Sequence, residues 1–218
     1  MTAEVTTVPG RAELLRDAVR TEEELREIIA PPSELVRTKH TTYLTPLAQR
    51  YITFSPFFLM ATAGADGTCD VTPRGDAINT IQIVDERTIV VPDRPGNRRV
   101  DSFRNILANP NIGLLFVVPG IEETLRVNGR ATLTRNDAVL DAMVIEDKRP
   151  VLGVVVEIDE VFMHCARSFL RAKLWQPGSW PAPAGVPTLR AIMSEQRNAP
   201  PPRPEDDTRN EDYRTWLY

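Results

Sequence analysis

Between residues 57 and 163 the sequence is mostly a succession of short apolar or alternating segments, and this pattern constrains the fold more than any other feature. Turn residues separate the segments, notably at 64–67 (GADG), 85–87 (DER) and 119–120 (PG). Strands and helices do not alternate regularly, as they would in a doubly wound parallel sheet. The pattern therefore predicts a mainly β fold, an antiparallel barrel with a few flanking helices.

One of these segments, residues 124–133, shows what each face of its strand must contact. Side chains alternate between the two faces of a strand, so every second residue points the same way. Four apolar residues share one face: Leu125, Val127, Ala131 and Leu133. Four polar residues share the other face: Thr124, Arg126, Asn128 and Arg130. We predict that the apolar face packs in the core and that the polar face meets solvent, a partner or a ligand.

The sequence on either side of the strand-rich region predicts three segments. Residues 1–54 form an N-terminal helical extension, in which 11–29 reads as helix, and residues 55–165 form the barrel core. Residues 166–218 contain a helix and a proline-rich extension that we expect to pack on the same domain.

Composition and charge limit the partners, metals and cellular location that we expect for this protein. The net charge of −4 and the sequence pI near 5.4 provide no global basic field, so we expect no nucleic-acid partner and no binding to a membrane. Two cysteines and two histidines lack the spacing of a metal site or a disulfide framework, so we expect no metal. The opening residues lack a basic segment followed by an apolar one, which favours a soluble cytoplasmic protein.

A turn rich in arginine gives the first indication of a ligand. The residues Arg94-Pro95-Gly96-Asn97 fit a type II turn, and Asn97 can cap a helix that begins with Arg98 and Arg99. A helix N-terminus already carries partial positive charge, so two arginines there are unfavourable unless an anion binds them. The pattern therefore favours a phosphate site. The alternative is that Asp93 and Asp101 pair with these arginines on a solvated surface.

Several segments resemble one family. VTPRGDA (71–77), IVVPDRPGNRRVDSFRNILANPNIGLLF (89–116) and ETLRVNGRATL (123–133) are similar to FMN-binding split-barrel flavoproteins related to pyridoxamine 5′-phosphate oxidase. The similarity spans about residues 57–161, and HCARSFLRAKLW (164–175) resembles a signature of one branch of these proteins. The resemblance implies an antiparallel split β-barrel of the FMN-binding type. It also implies a homodimer with FMN in the clefts between subunits.

The resemblance also implies a cofactor site. Its residues would be Arg74, Gly75, Asp76, Ala77, Val91, Pro92, Asn97, Arg98, Arg99 and Thr124. The FMN phosphate would lie against Arg74 and the pair Arg98-Arg99. Thr124 stands where vitamer oxidases present a glutamine to the flavin ring. Asp76 could instead be a turn carboxylate that pairs with Arg74.

The substrate is less well defined. Asn79 stands where vitamer oxidases carry a lysine for the substrate phosphate, so pyridoxine phosphate oxidation is not expected. At helical spacing Arg167, Arg171 and Trp175 share one face and could form a substrate-side wall, although Trp175 could equally pack against the barrel.

The resemblance thus predicts an FMN-dependent oxidoreductase acting on a small molecule, with NAD(P)H as a possible electron donor. One alternative is an F420-dependent reductase or a haem-handling protein of the same fold. The other is a non-catalytic FMN sensor or carrier.

Overall fold

The computed structural model describes residue 8 and residues 10–203. The end of the predicted C-terminal extension, residues 204–218, lies outside the described part. Contacts within the chain define two compact units, with the division between Lys39 and His40. None of the helices in the described residues has both the length and the apolar character needed to cross a membrane.

The first unit contains three short helices: α1 (Arg11–Leu14), α2 (Glu22–Ile28) and α3 (Glu34–Thr38). The segment 11–29, predicted to be helical, contains α1 and α2 and is not continuous, because Thr21 caps the start of a new helix. Its hydroxyl accepts a hydrogen bond from the backbone N–H of Glu24 at 3.2 Å, and the Glu24 carboxylate accepts one from the N–H of Arg20 at 2.8 Å. These bonds satisfy amides at the start of α2 and separate it from α1.

The second unit is built on one seven-stranded sheet. Its strands are β1 (Phe57–Ala63), β2 (Cys69–Gly75), β3 (Gln82–Asp85), β4 (Thr88–Pro92), β5 (Asn111–Val117), β6 (Thr124–Thr134) and β7 (Gly153–His164). Its helices are α4 (Pro46–Thr53), α5 (Asp101–Ala108), α6 (Asp137–Asp141), α7 (Arg167–Ala172) and α8 (Leu189–Gln196). The strand order is β2-β1-β5-β6-β7-β4-β3, and every neighbouring pair is antiparallel. This arrangement confirms the predicted fold class, a split-barrel type with flanking helices.

The core lies on the apolar faces of the central strands. On β6, Leu125, Val127 and Ala131 are buried as the alternation predicted. Two residues that the sequence assigned to the N-terminal extension, Leu44 and Ile52, are buried in this same core. The segment that contains α4 is therefore part of the second unit.

A β-bulge shifts the register between β6 and β7. Asn128 pairs with Glu160 whereas Gly129 pairs with Ile158, so β7 contains one extra residue at this point. The backbones approach closely here: a Cβ on Gly129 would lie 2.0 Å from the carbonyl oxygen of Glu157. Only glycine fits this position without a movement of the backbone.

Candidate functional site

The candidate site is built on the half-buried face of β2, which looks toward the first turns of α5. Residues of β2 alternate between exposed and half-buried, and Thr72 and Arg74 are on the half-buried face. The hydroxyls of Thr72 and Ser102 lie 3.3 Å apart and share a hydrogen bond. The guanidinium carbon of Arg74 lies 5.5 Å from the centre of the Phe103 ring, a cation–π contact. Helix α5 therefore fixes where Arg74 lies.

Arg74 is a desolvated cation with incomplete partners. Its side chain is 24% exposed, and its Nε is fully buried without a hydrogen-bond acceptor among the described residues. Its ion-pair partner is Asp93, with Arg74 Nη1 and Asp93 Oδ1 3.7 Å apart, which is too long for a good hydrogen bond. Burial lowers the pKa of Arg74, and Asp93 acts in the opposite direction. An unpaired buried donor on a cation is costly, and an anion would remove this cost.

Asp76 does not pair with Arg74 as the alternative reading suggested. Its Oδ2 accepts a hydrogen bond from Arg94 Nε at 2.6 Å, and both side chains are about nine-tenths buried. Arg94 also donates from Nη2 to the carbonyl oxygen of Met143 at 2.8 Å. The bond between Asp76 and Arg94 links the loop after β2 to the end of β4. The bond from Arg94 to Met143 links the same segment to the region after α6. Sequence reasoning missed this role of Arg94 because its partner lies 18 residues away.

The arginine turn differs from the prediction. Gly96 does not have a positive φ, so the turn is not type II, and α5 begins at Asp101 and not directly after Asn97. Two residues before the helix, Arg98 (φ 60°) and Val100 (φ 54°), adopt the left-handed conformation that interrupts a helix. Arg98 and Arg99 therefore precede α5 and do not occupy its first turn.

The two arginines of this turn are not equivalent. Arg99 donates from Nε to Asp101 Oδ2 at 2.7 Å, and this bond raises the pKa of Arg99. The Asn97 Oδ1 accepts from the N–H of Arg99 at 3.0 Å, so Asn97 caps this turn and not a helix. Arg98 is exposed and has no hydrogen bond or ion pair within the described part of the chain. The paired-surface alternative therefore holds for Arg99 and not for Arg98.

The turn and the half-buried face of β2 meet at the same end of α5. On β2, Thr72 and Arg74 contact Ser102 and Phe103 of α5, and Arg99 of the turn bonds to Asp101, the first residue of that helix. The structure thus brings Arg74 and the turn that carries Arg98 and Arg99 to the first turn of α5.

The other predicted cofactor residues occupy three places. Val91 and Pro92 are buried at the end of β4. Gly75 and Ala77 are exposed where β2 ends. Thr124 is buried at the start of β6 and is not brought next to Arg74 by any contact among the described residues.

The predicted face of Arg167, Arg171 and Trp175 is wrong. Helix α7 ends at Ala172 because Lys173 adopts a left-handed conformation with φ 50°, so Trp175 leaves the helical repeat. The indole Nε1 donates to the carbonyl oxygen of Ile121 at 2.9 Å, which places Trp175 against the loop between β5 and β6. Arg167 and Arg171 are exposed on α7.

Comparison with known families identifies the chain. The family model of pyridoxamine 5′-phosphate oxidase matches residues 44–165, more than half of the sequence. The chain belongs to the pyridoxamine 5′-phosphate oxidase family. The family match includes Arg74, Arg98, Arg99 and Thr124, whereas α7 and Trp175 lie beyond it.

Several solved structures match the chain over somewhat more than half of its length. HupZ of Group A Streptococcus is 19% identical over 55% of this chain and 92% of its own, with a TM-score of 0.44. A protein described as a pyridoxamine 5′-phosphate oxidase from Lactobacillus delbrueckii is 21% identical over 56% and 95%, with a TM-score of 0.44. HutZ, a haem storage protein of Vibrio cholerae, is 12% identical over 56% and 93%, with a TM-score of 0.36. At TM-scores this low the similarities carry no argument about function. No curated protein matches the sequence.

Proposed function

We propose that this member of the pyridoxamine 5′-phosphate oxidase family is a cytoplasmic, FMN-dependent oxidoreductase that acts on a small molecule. The observation that carries the proposal is Arg74, a half-buried cation whose Nε has no acceptor among the described residues. A phosphate monoester supplies what this group lacks: several strong acceptor oxygens and negative charge, which bind guanidinium groups through charge-assisted hydrogen bonds.

The residues around Arg74 fit a flavin phosphate. Arg98 is the second cation, because it has no competing carboxylate among the described residues, and Arg99 adds charge at the rim although it is engaged by Asp101. Phe103 holds the Arg74 guanidinium through its ring face, which limits the motion of the cation. The exposed backbone of Gly75 leaves room for a flat group to approach the end of β2.

The cofactor and the protein would have different roles at this site. FMN, when bound, supplies the hydride and electron chemistry, so the proposal assigns no catalytic acid or base to the chain. Arg74, Arg98 and Arg99 hold the phosphate, and the hydroxyl of Thr124 can donate to or accept from a polar edge of the ring.

A homodimer would bring Thr124 to the cofactor. Within one chain the register aligns Gly75, Phe57, Val117 and Thr124 across four neighbouring strands. Three steps of about 4.8 Å separate Gly75 from Thr124 by roughly 14 Å, so within one chain Thr124 lies well away from the proposed phosphate site. In a dimer, one chain would supply the arginines and its partner would supply Thr124.

The proposed dimer also accounts for exposed apolar residues in the first two strands. Val71 and Phe57 are 62% and 38% exposed, and a second copy would cover this surface. We expect sedimentation or light scattering to give twice the 24.4 kDa mass of the chain. A monomer at all concentrations at which FMN binds would contradict a site shared between two chains.

The experiment that tests the function combines cofactor binding with turnover. The purified protein is mixed with FMN, F420 or haem, unbound ligand is removed, and the retained compound is identified. We expect FMN to be retained and then reduced by NAD(P)H or by a substrate. Retention of F420 or haem in its place would contradict the FMN assignment, and FMN that no reductant reaches would indicate a sensor or carrier.

The arginine turn gives a separate prediction. The double variant Arg98→Ala, Arg99→Ala should bind FMN at least about tenfold more weakly, because it loses charge-assisted hydrogen bonds worth about 1.5 kcal/mol or more. The fold should remain intact since both side chains are exposed.

The matched control for this double variant is Arg26→Ala, Arg37→Ala, which removes the same charge from exposed helices of the first unit. Its FMN affinity should equal that of the parent. FMN affinities that fall equally in the two double variants would mean that net charge alone is responsible, and the turn would not be the phosphate site.

A further inference from the structure

Asp93 is placed to compete with any anion for Arg74. It is the one carboxylate within ion-pair distance of Arg74 among the described residues, at 3.7 Å, and its side chain is 18% exposed. Its backbone N–H donates to the carbonyl oxygen of Leu152 at 2.9 Å, which holds it beside the start of β7. This bond fixes the backbone of Asp93 at the end of β4, so the carboxylate can leave Arg74 only by rotation of its side chain.

The two other arginines near Asp93, Arg94 and Arg149, form hydrogen bonds with other residues. Arg94 is bonded to Asp76 and to the carbonyl oxygen of Met143. Asp93 also lines a cleft of about 230 Å³ whose remaining charged residues are Arg94, Asp147, Lys148 and Arg149. Arg149 is hydrogen-bonded to Asp137 and Asp141. Arg74 is the cation within ion-pair distance of Asp93 among the described residues.

The protonation of Asp93 responds to its surroundings. Burial raises the pKa of its carboxyl above the usual value, while Arg74 and Arg94 act in the opposite direction. An anion bound to Arg74 would cancel the attraction of that cation and add repulsion between like charges, which favours the protonated acid further. A protonated Asp93 could also donate a hydrogen bond to a phosphate oxygen.

We propose that Asp93 holds Arg74 when no ligand is bound and takes up a proton when a phosphate monoester binds there, which makes phosphate binding weaker as pH rises. This inference rests on the proposed function, in which FMN is the ester. Asp93 then determines how strongly the site favours FMN over riboflavin, the same flavin without the phosphate. The sign follows from linkage: raising the pH ionises Asp93 in the free protein, and that ionised form must recover its proton to bind.

The test uses the full chain and the variant Asp93→Asn, whose amide resembles the neutral acid. FMN and riboflavin are titrated by flavin fluorescence at about pH 8, where the phosphate (second pKa about 6) is a dianion. We expect the variant to bind FMN at least about tenfold more tightly than the parent, because each pH unit above the pKa of Asp93 in the free protein costs the parent a factor of ten. Riboflavin affinity should not change. Asp141→Asn, which removes a different arginine-paired carboxylate, should behave as the parent does.

Proton uptake gives a readout that needs no turnover. Calorimetric titrations of FMN in buffers of different ionisation enthalpy should show that the parent takes up a proton on binding and that Asp93→Asn does not. Equal or weaker FMN binding by a folded Asp93→Asn, or binding by the parent without proton uptake, would overturn the inference while leaving the FMN site in place. A parent that fails to bind FMN would instead overturn the proposed function. If the variant does not fold, proton uptake by the parent and the pH dependence of its FMN affinity decide the question.

Discussion

Arg74→Met should lower the affinity for FMN by about 100-fold. A charge-assisted hydrogen bond to a phosphate contributes about 1.5–3 kcal/mol, and each 1.4 kcal/mol is a factor of ten, so the loss of the main phosphate cation accounts for this change. Methionine keeps an unbranched apolar stem against Phe103 but carries neither the charge nor the donors. Fluorescence titration with FMN measures the effect, and riboflavin, which lacks the phosphate, should show little change.

The matched control for Arg74→Met is Arg50→Met. Arg50 also places its guanidinium over an aromatic ring, with 5.8 Å between its central carbon and the centre of Phe54, but it lies on α4. This control should bind FMN as the parent does. If Arg74→Met also retains the parental affinity, then the buried cation of β2 does not bind the phosphate.

Gly129→Ala should destabilise the second unit by about 3 kcal/mol or more, because overpacking against rigid backbone is among the most costly substitutions. The new Cβ would lie 2.0 Å from the Glu157 carbonyl oxygen and 3.0 Å from its carbonyl carbon. A backbone atom cannot rotate away as a side chain can, so β6 and β7 would have to separate at the bulge. Chemical denaturation monitored by circular dichroism measures the change.

Gly113→Ala on the neighbouring strand is the control for Gly129→Ala. Its added Cβ would lie 3.4 Å from Asn128 Oδ1, the end of a side chain that can adjust, so we expect a change below about 1 kcal/mol. A Gly129→Ala variant as stable as the parent would show that β6 and β7 are not in tight contact at the bulge.

Patterns of side-chain alternation and turn residues predicted the sheet well. Burial of Leu125 and Val127 on β6 follows from a period of two, which depends only on the local sequence. The predicted start of α5 was wrong because it depends on backbone conformations that the local sequence does not signal. Arg98 and Val100 adopt left-handed backbone conformations, and no residue type at these positions signals this as glycine would.

The candidate site was predictable only in part. The sequence resemblance located Arg74, but its burial and its unsatisfied Nε depend on the packing of α5 against β2. The Arg94–Asp76 pair joins residues that are far apart in the sequence, and their spacing gives no signal of contact. The predicted helical face of Arg167, Arg171 and Trp175 does not form because α7 ends at Ala172, and no proline or glycine marks that end.

Retention of FMN by the purified protein tests the central claim most directly. The protein is incubated with FMN or riboflavin and separated from unbound flavin, and the visible absorption spectrum of the protein fraction is recorded. We predict an oxidised-flavin spectrum after FMN, in stoichiometric amount, and far less flavin after riboflavin, because the Arg74 cluster binds the phosphate. A protein fraction without flavin absorption, or equal retention of the two flavins, would contradict the account.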